Sequence, residues 1–420
     1  MNIFKITLFA LLALFSMGCL TNKKIRPIAE FTTKLEKELD KFSMLVNPKT
    51  DISYWPGGNF VNSGNHFNCQ INQLGFKKSA LKYFGNIVAA PVIANNKLFV
   101  LDSSNRLICY DLEKEHTLWV KNLNTIGAKK TIQMGGITLD EDRLYVINGS
   151  RDLSIIELSS GNEIARIKLD DIIITPVGVD ATSLYVLMRN NQVVSINKSS
   201  CANQWNISGP QTSIALLLQS FTQPMVFGNA VFSELYSGQM VLLSKEKGQP
   251  IWQINMNQET MNHFGDMDYA NLTTQPVIYE HYLFTANGNG QLAKYDIRSG
   301  ANIWRKKAED VLGMQKFGNS LIITNNAQQI ACLCAESGKV AWVQNLDALD
   351  KKKKVYNLLT PIMLDDQIYV VTSDGKMYQL DLQGNIVKIH SIAKDVNFYA
   401  VNQGKMYLFA KGGVFINAIK

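Results

Sequence analysis

The sequence contains few residues whose types and spacing could form a chemical site. Its cysteines are Cys19, Cys69, Cys109, Cys201, Cys332 and Cys334, and its histidines are His66, His116, His263, His281 and His390. No set among them has the spacing of a zinc site, and no nucleophile and base can be paired from the sequence. We therefore expect no catalytic residue, no metal site and no bound cofactor.

Two of the cysteines lie close together in the sequence. Cys332 and Cys334 are two residues apart in a strand-like run, so their side chains share one face of the strand. A disulfide between them would need poor geometry, and small buried residues of a core are the simpler interpretation.

The first residues have the form of a secretory signal. Met1–Cys19 reads MNIFKITLFALLALFSMGC, in which Lys5 precedes the apolar stretch Ile6–Phe15 and small residues precede the cysteine. This apolar stretch is too short to span a bilayer as a helix. We predict a signal peptide over residues 1–18.

The end of this signal suggests a lipid anchor. The Gly18-Cys19 junction resembles the lipobox of bacterial lipoproteins, in which the cysteine becomes the lipidated first residue. Ser16 stands where that motif usually has leucine, and an ordinary cleaved signal peptide is the alternative. Leu20 after the cysteine resembles the sorting signal for the outer membrane. The resemblance implies lipidation of Cys19 and a position at the periplasmic face of the outer membrane.

Composition excludes several classes of protein. The chain has 420 residues, 46% of them hydrophobic, and 42 Lys+Arg against 35 Asp+Glu leave a net charge of +7. This composition excludes a disordered chain, and the lack of a second long apolar run excludes a polytopic membrane protein. The charge is too diffuse to predict nucleic-acid binding. Residues 19–51 are polar and predict a tether with a short helical piece.

A repeat organises the remainder of the chain. Glycine precedes a tryptophan by four residues in three units and is present without the tryptophan in two more. The tryptophans used for the alignment are Trp119, Trp205, Trp252, Trp304 and Trp342. Each unit contains four short alternating runs joined by turn pairs such as Asn95-Asn96 and Asp374-Gly375, which predicts four antiparallel strands. We expect each tryptophan to pack against the neighbouring unit.

Stacked four-stranded units of this length predict a β-propeller, because a single sheet cannot bury both of its faces. Seven complete units cover residues 86–123, 134–169, 172–207, 221–256, 272–308, 313–346 and 357–392. The tail supplies three further strands, so an N-terminal strand near residues 52–56 is predicted to complete the last blade with Trp55. The expected fold is all-β: an eight-bladed propeller over residues 52–420.

The repeat resembles the pyrroloquinoline-quinone-like propeller repeat. A lipoprotein signal followed by one eight-bladed propeller further resembles the BamB family of outer-membrane assembly lipoproteins, as do Trp55-Pro-Gly-Gly-Asn59, Val226–Trp252 and Leu272–Trp304. The resemblance implies a non-enzymatic scaffold of the machine that inserts β-barrel proteins into the outer membrane. Its implied partners are the central barrel protein, the associated lipoproteins and, as further candidates, unfolded outer-membrane proteins.

The resemblance also implies a docking site on the periplasmic repeats of the central barrel protein. Two neighbouring interblade loops carry it in that family. Here Leu216 and Leu218 match its two leucines, Gln219 replaces an arginine, and Asn271 and Thr273 occupy two acidic positions. We therefore expect a contact that is chiefly apolar.

Other interpretations of these loops stay open. The run Ile214–Leu218 also fits a first strand of blade four that extends inward, and Asp266 and Asp268 fit a shifted acidic pair. Lys351–Lys354 fits a solvated loop or a contact with anionic lipid.

Two other functions are compatible with this fold. Quinoprotein dehydrogenases use the same repeat around a quinone and a calcium ion and carry adjacent bridged cysteines, which this sequence lacks. A periplasmic scaffold for another partner is the second alternative, because fold alone does not fix function.

Overall fold

The computed structural model describes residues 34–48, 54–55, 66–67, 69, 75–81, 86–124, 134–209, 222–235, 238–256, 272–288, 290–308, 310–346 and 356–417. These residues form strands and connecting turns, and no helix occurs among them. Within that part of the chain, nothing helical has the length and apolarity needed to cross a bilayer.

The strands of the described residues form eight sheets. Three short N-terminal strands are β1 (Tyr54–Trp55), β2 (His66–Phe67) and β3 (Lys77–Lys78). Blade one is β4 (Val92–Ala94), β5 (Lys97–Leu101), β6 (Arg106–Asp111) and β7 (His116–Asn122). Blade two is β8 (Gly136–Asp140), β9 (Arg143–Ile147), β10 (Asp152–Glu157) and β11 (Glu163–Lys168). Blade three is β12 (Gly178–Val179), β13 (Ser183–Leu187), β14 (Gln192–Asn197) and β15 (Asn203–Ser208).

The next three blades repeat this order. Blade four is β16 (Met225–Phe227), β17 (Ala230–Leu235), β18 (Gln239–Ser244) and β19 (Pro250–Asn255). Blade five is β20 (Val277–Tyr279), β21 (Tyr282–Asn287), β22 (Gln291–Asp296) and β23 (Asn302–Lys307). Blade six is β24 (Val311–Phe317), β25 (Ser320–Asn325), β26 (Gln329–Cys334) and β27 (Val340–Asn345).

The last two blades use N-terminal strands as well. Blade seven is β28 (Ile362–Leu364), β29 (Gln367–Thr372), β30 (Lys376–Leu380) and β31 (Ile386–Ser391). Blade eight is β32 (Val396–Asn402), β33 (Lys405–Ala410) and β34 (Gly413–Asn417), with β3 as its fourth strand. The predicted all-β, eight-bladed propeller of four-stranded antiparallel blades is confirmed.

Within each blade, consecutive strands pair antiparallel through tight turns. Asn95 and Asn96 have φ values of 49° and 58°, which is the left-handed pair that a two-residue hairpin requires. Because the strands alternate in direction, the connectors between blades and the turns between second and third strands lie on one face, here called the connector face. The opposite face, which carries the first and third turns of each blade, is called the turn face.

The first strand of each blade lies at the inner edge of the ring. First strands of neighbouring blades approach one another, as β12 does with β8 and β16, and β4 with β8 and β32. Gly136 has no room for a side chain, because an added Cβ would lie 2.8 Å from the Cα of Pro176 in the next blade. Glycine at this position therefore permits close approach of the two blades.

The five tryptophans of the repeat units pack between blades. Each ring lies against a glycine of the next blade, in the pairs Trp119–Gly161, Trp205–Gly248, Trp252–Gly300, Trp304–Gly338 and Trp342–Gly384. In four of the five, the indole N–H also donates to a backbone carbonyl of that next blade, as Trp304 does to Ala335 O at 3.2 Å. We call each such pair a clasp.

At two junctions between neighbouring blades there is no clasp, because both the tryptophan and the glycine are replaced by other residues. Blade two has Ala165 instead of tryptophan, and blade three has Cys201 at the glycine position with φ of 57°. Blade eight ends in Lys77–Lys78, and blade one has Glu115 at the glycine position with φ of 52°. The glycine is therefore present where the preceding blade supplies a tryptophan, and a side chain replaces it at these two junctions.

The ring is closed by an N-terminal strand, but not by the predicted one. Lys77 and Lys78 pair with Ile416 and Phe415 at the outer edge of blade eight. Both lysines are exposed, as befits a short sheet edge. The prediction that residues near 52–56 complete this blade is wrong, because Trp55 is buried at the inside of the ring and not at the outer edge of blade eight.

Trp55 lies at the inner edge of the closure junction. Strand β1 pairs antiparallel with β4 of blade one, and β2 pairs parallel with β28 of blade seven. The Trp55 side chain is 1% exposed, and its ring lies 6.0 Å from the rings of Phe67 and Tyr399. The N-terminal segment thus joins blades seven, eight and one along their innermost strands.

The described part of the predicted tether, residues 34–48, packs on blade six and contains no helix. We call this segment the strap. Asn319 of the first turn of blade six accepts from Leu45 N and donates to Ser43 O. Gly318 leaves room for the strap, because an added Cβ would collide with Leu45 O. The remaining tether residues and the signal peptide lie outside the described residues.

Candidate functional site

The predicted docking residues belong to two connectors on the connector face. Leu216, Leu218, Gln219 and Asn271 lie outside the described residues, and so do Asp266, Asp268 and Lys351–Lys354. Thr273 and the ends of both connectors are described. The described end of the first connector starts at Thr222 and leads into blade four. The described end of the second connector starts at Leu272 and leads into blade five.

A buried carboxylate joins the ends of these two connectors. Glu234, in the second strand of blade four, has no exposed surface. Its Oε2 accepts a hydrogen bond from Thr222 Oγ1 at 2.8 Å, and its Oε1 accepts one from Leu272 N at 2.6 Å. One carboxylate therefore holds the connector that enters blade four and the connector that enters blade five.

A second contact ties the same two segments together. Gln275 is 5% exposed, and its Oε1 accepts from Gln223 N at 3.0 Å while its Nε2 donates to Gln223 O at 3.4 Å. The side-chain amide of one connector thus pairs with both backbone groups of a residue in the other. Since buried polar groups are costly to leave unpaired, these contacts fix the relative position of the two connector ends.

Thr273 is half-buried next to this junction. Its backbone N–H donates to Ala286 O at 3.0 Å, and its Oγ1 is buried without an acceptor among the described residues. Leu272, the residue before it, forms a bridge with Asn287 and packs its side chain into the core cluster of blades four and five. Thr273 is therefore held rigidly at the base of its connector.

The turn face carries ion pairs between consecutive blades. Lys245 of blade four contacts Asp180 of blade three at 2.5 Å, and Lys198 of blade three contacts Asp140 of blade two. Burial alone would raise the pKa of Asp180, but hydrogen bonds from Lys245 and from the N–H groups of Thr182 and neighbouring residues lower that pKa to about 2. The charge of Asp180 thus stabilises the junction of blades three and four.

Three of the described thiols lie in the core. The described cysteines are all free, and burial raises the pKa values of Cys69, Cys109 and Cys332 to about 12. Thiols with such high pKa values are poor nucleophiles. Among the described residues, no three His, Cys, Asp or Glu side chains are placed to hold a metal ion.

Sequence reasoning missed Glu234, Thr222 and Gln275. The one available signal was Glu234 itself, the acidic residue of the mostly apolar run Ala230–Leu235. A carboxylate in a strand that is buried on both faces needs hydrogen-bond donors, and its position near the end of the strand points to the adjacent connectors.

Comparison with known proteins supplies the family. The family model of outer membrane protein assembly factor BamB matches residues 117–344 and 313–391, which together cover more than half of the chain. The chain belongs to the BamB family. The resemblance to this family, which the repeat suggested, is thereby confirmed.

Two curated relatives illustrate how similar this chain is to known proteins. An uncharacterized protein of Rickettsia conorii is 30% identical over 340 residues, which are 77% of this chain and 80% of that protein. Outer membrane protein assembly factor BamB of Vibrio cholerae is 23% identical over 341 residues, 79% of this chain and 84% of the relative.

Solved structures agree on the propeller. BamB from Moraxella catarrhalis superposes with a TM-score of 0.66 and 18% identity, over 81% of this chain and 98% of that one. Quinohemoprotein alcohol dehydrogenase from Comamonas testosteroni gives a TM-score of 0.63 and 11% identity, over 86% of this chain and 80% of that enzyme. At such low identities these structures show the shared fold alone.

Proposed function

We propose that this chain is a non-enzymatic scaffold of outer-membrane protein assembly. It docks on the periplasmic repeats of the central barrel protein and assists insertion of outer-membrane proteins together with the associated lipoproteins. Membership of the BamB family is the observation that carries the proposal. Affinity purification with the anchor intact tests it, and recovery of the assembly machine is the expected result.

The docking surface in this proposal is formed by the connectors that enter blades four and five. Leu216 and Leu218 supply its apolar centre, and Gln219, Asn271 and Thr273 flank them. The hydrogen bonds of Glu234 support it, because they hold the ends of the two connectors together. A chiefly apolar contact should respond weakly to salt, since screening acts on charges.

Substitution of the two leucines tests the docking surface. Leu216→Glu/Leu218→Glu should weaken binding to the barrel protein's periplasmic repeats at least about tenfold, because each buried leucine contributes about 1–3 kcal/mol. Ile303→Glu, an exposed aliphatic position on the outer strand of blade five, is the matched control. Wild-type affinity of the double variant, with an unchanged circular dichroism spectrum, would refute this surface.

Glu234→Gln tests whether the alignment of the connectors matters for docking. The glutamine retains the volume, but it offers one acceptor oxygen in place of two, so one of the two connector ends loses its hydrogen bond. We expect weaker binding together with faster amide hydrogen exchange at the connector end that loses its bond, Thr222–Gln223 or Leu272–Gln275. Unchanged binding despite faster exchange at that end would show that Glu234 has no part in docking.

Cys19 is the proposed lipid anchor, at the periplasmic face of the outer membrane. Its lipid would hold the propeller near the barrel protein that it serves. Cys19→Ala should release the protein from the membrane fraction, as measured by fractionation in the native host. Retention of the variant in that fraction after a high-salt wash would contradict the anchor.

The quinoprotein alternative is less well supported by this chain. Trp55 and Phe67 pack at the inner edges of blades seven, eight and one. These edges are the parts of the sheets that lie nearest to the axis of the propeller. The sequence also lacks the adjacent cysteines of that class. A dehydrogenase assay after incubation with the quinone and calcium distinguishes the two functions, and turnover above the blank would favour the enzyme.

A further inference from the structure

Two lysines lie deep in the interface between blades five and six. Lys294, in the third strand of blade five, is 5% exposed, and Lys316, near the end of the first strand of blade six, is 6% exposed. Leu292 and Met314 precede them by two residues, so they share the same faces of these strands, and both belong to the apolar core between the two blades. The two lysine side chains therefore point into this interface. Because Lys316 precedes the first turn of blade six, they lie at its turn-face end.

Two tyrosines of one hairpin bring the ammonium groups together. Tyr279 and Tyr282 flank the first turn of blade five and are cross-strand partners, so their side chains lie next to each other on one face of the sheet. Lys316 Nζ lies 3.3 Å from the centre of the Tyr279 ring, and Lys294 Nζ lies 3.7 Å from the centre of the Tyr282 ring. Each cation thus contacts the face of one of two adjacent rings. We call these four residues the basic pocket.

No carboxylate of the described residues pairs with the two ammonium groups. Lys316 Nζ donates to Gly318 O at 2.6 Å, which is an uncharged acceptor. Glu280 and Glu336 lie close enough for their charges to act on the lysines, but both are exposed and neither forms an ion pair with them. Lysines are almost never buried to this extent without a partner of opposite charge.

Other junctions on the turn face contain the negative charge that is missing here. Lys198 is paired with Asp140, and Lys245 is paired with Asp180, in each case across a junction of consecutive blades. In the basic pocket, burial lowers the pKa of Lys316 to about 8, and the positive charge of Lys294 lowers it as well, against the opposing effect of Glu280. The pKa of Lys294 is also lowered by burial. An anion between the two ammonium groups would therefore stabilise both charges.

We propose that the basic pocket binds free inorganic phosphate, whose dianion lies between Lys294 and Lys316 and accepts hydrogen bonds from both ammonium groups. Its two negative charges match the two cations, and each ammonium group has three N–H donors to offer. Lysine binds phosphate as a point charge, and the buried position strengthens the attraction. Glu280 and Glu336 at the rim disfavour an extended anionic surface, which favours a small free ion. This site is separate from the connector surface proposed for docking.

Calorimetric titration of the full chain with inorganic phosphate, at neutral pH in a chloride buffer of constant ionic strength, tests the proposal. Lys294→Met/Lys316→Met keeps the unbranched stems and removes both charges, so the affinity should fall at least about tenfold. Lys388→Gln/Lys411→Gln removes two exposed lysines and is the matched control, which should bind like wild type. Because buried charges are replaced by apolar groups, the methionine variant should fold, which circular dichroism checks.

Each outcome decides the proposal. Loss of phosphate binding in the methionine variant alone supports it, whereas wild-type affinity of that variant, or no saturable binding by the wild type, overturns it. A second titration uses vesicles of phosphatidylglycerol. Vesicle binding that the methionine substitutions abolish, without binding of inorganic phosphate, would make a lipid headgroup the occupant and overturn the proposal. Docking on the barrel protein's repeats is tested separately by Leu216→Glu/Leu218→Glu, so failure of one proposal is distinguishable from failure of the other.

Discussion

The clasp between blades five and six offers a direct test of how the propeller is held together. Gly338 has φ of 70°, and a Cβ added to it would lie 2.7 Å from Cδ2 of the Trp304 ring. Gly338→Ala therefore combines two costs. The left-handed backbone costs about 1–2 kcal/mol for a residue with a Cβ, and overpacking against the ring costs about 1–3 kcal/mol.

Together these costs predict that the free energy of unfolding falls by about 2–5 kcal/mol in Gly338→Ala. Displacement of the ring also weakens the hydrogen bond from Trp304 Nε1 to Ala335 O. Denaturant titration followed by circular dichroism measures the change. Cys201→Gly is the matched control, because Cys201 has the equivalent backbone conformation but faces no tryptophan, and it should change stability by less than about 1 kcal/mol.

A double-mutant cycle isolates the clash. In a Trp304→Ala background, Gly338→Ala should cost only the backbone share, so the coupling energy should reach at least about 1 kcal/mol. Equal cost of Gly338→Ala in both backgrounds would refute the reasoning, since the ring would then have no part in the requirement for glycine.

Three further predictions follow from buried contacts elsewhere. Trp55→Ala should lower stability by about 3–5 kcal/mol in denaturant titration, because the ring is buried and leaves a cavity; an unchanged midpoint would contradict its place at the closure. The pKa of Asp180 is lowered in the folded state, so its stabilisation is present above the ordinary carboxyl pKa near 4 and is lost as pH falls towards 2. Asp180→Asn should therefore reduce the difference in melting temperature between pH 6 and pH 3, and an unaltered difference would contradict the pairing with Lys245. Gly318→Ala should release the strap by collision with Leu45 O and speed tryptic cleavage within residues 34–48, whereas wild-type cleavage would mean that the strap adapts.

The repeat was predictable because its signals are local. Alternating apolar residues define strands, and pairs such as Asn95-Asn96 define hairpins, so each blade could be read from a short stretch of sequence. The strap could not be read in this way. Its polar and apolar residues make contacts with Gln329, Asn319 and Val340, which are 274 to 302 residues away in the chain.

The proposed docking surface depends only partly on signals in the sequence, for a similar reason. The loop sequences suggested Leu216 and Leu218, but the contacts that align the two connectors come from Glu234 and Gln275. Neither residue belongs to the leucine run or to the acidic positions on which the prediction depended. The role of a buried polar side chain can be assigned only when its hydrogen-bond partners are known. The partners of Glu234 and Gln275 belong to the connectors of two different blades.

The error at the closure follows from how the two members of a clasp are distributed. The glycine and the tryptophan of one motif serve different junctions, because the tryptophan contacts the blade that follows and the glycine receives the ring of the blade before. Blade one carries Glu115 at its glycine position, so blade eight has no glycine against which a tryptophan could pack. Trp55 was therefore not needed in the outer strand of blade eight.

The same distribution explains why the N-terminal segment lies where it does. Blade seven has Lys388 at the tryptophan position and the outer strand of blade eight is Lys77–Lys78, so the tryptophan is missing on the outer strand at both junctions of blade eight. At the inner edge, Trp55 contacts Tyr399 of blade eight, and Tyr399 donates its hydroxyl to Thr360 O of blade seven at 2.9 Å. Strand β1 meanwhile pairs with blade one. The N-terminal segment thus supplies, from inside the ring, the contacts that tryptophans supply from outside at the clasped junctions.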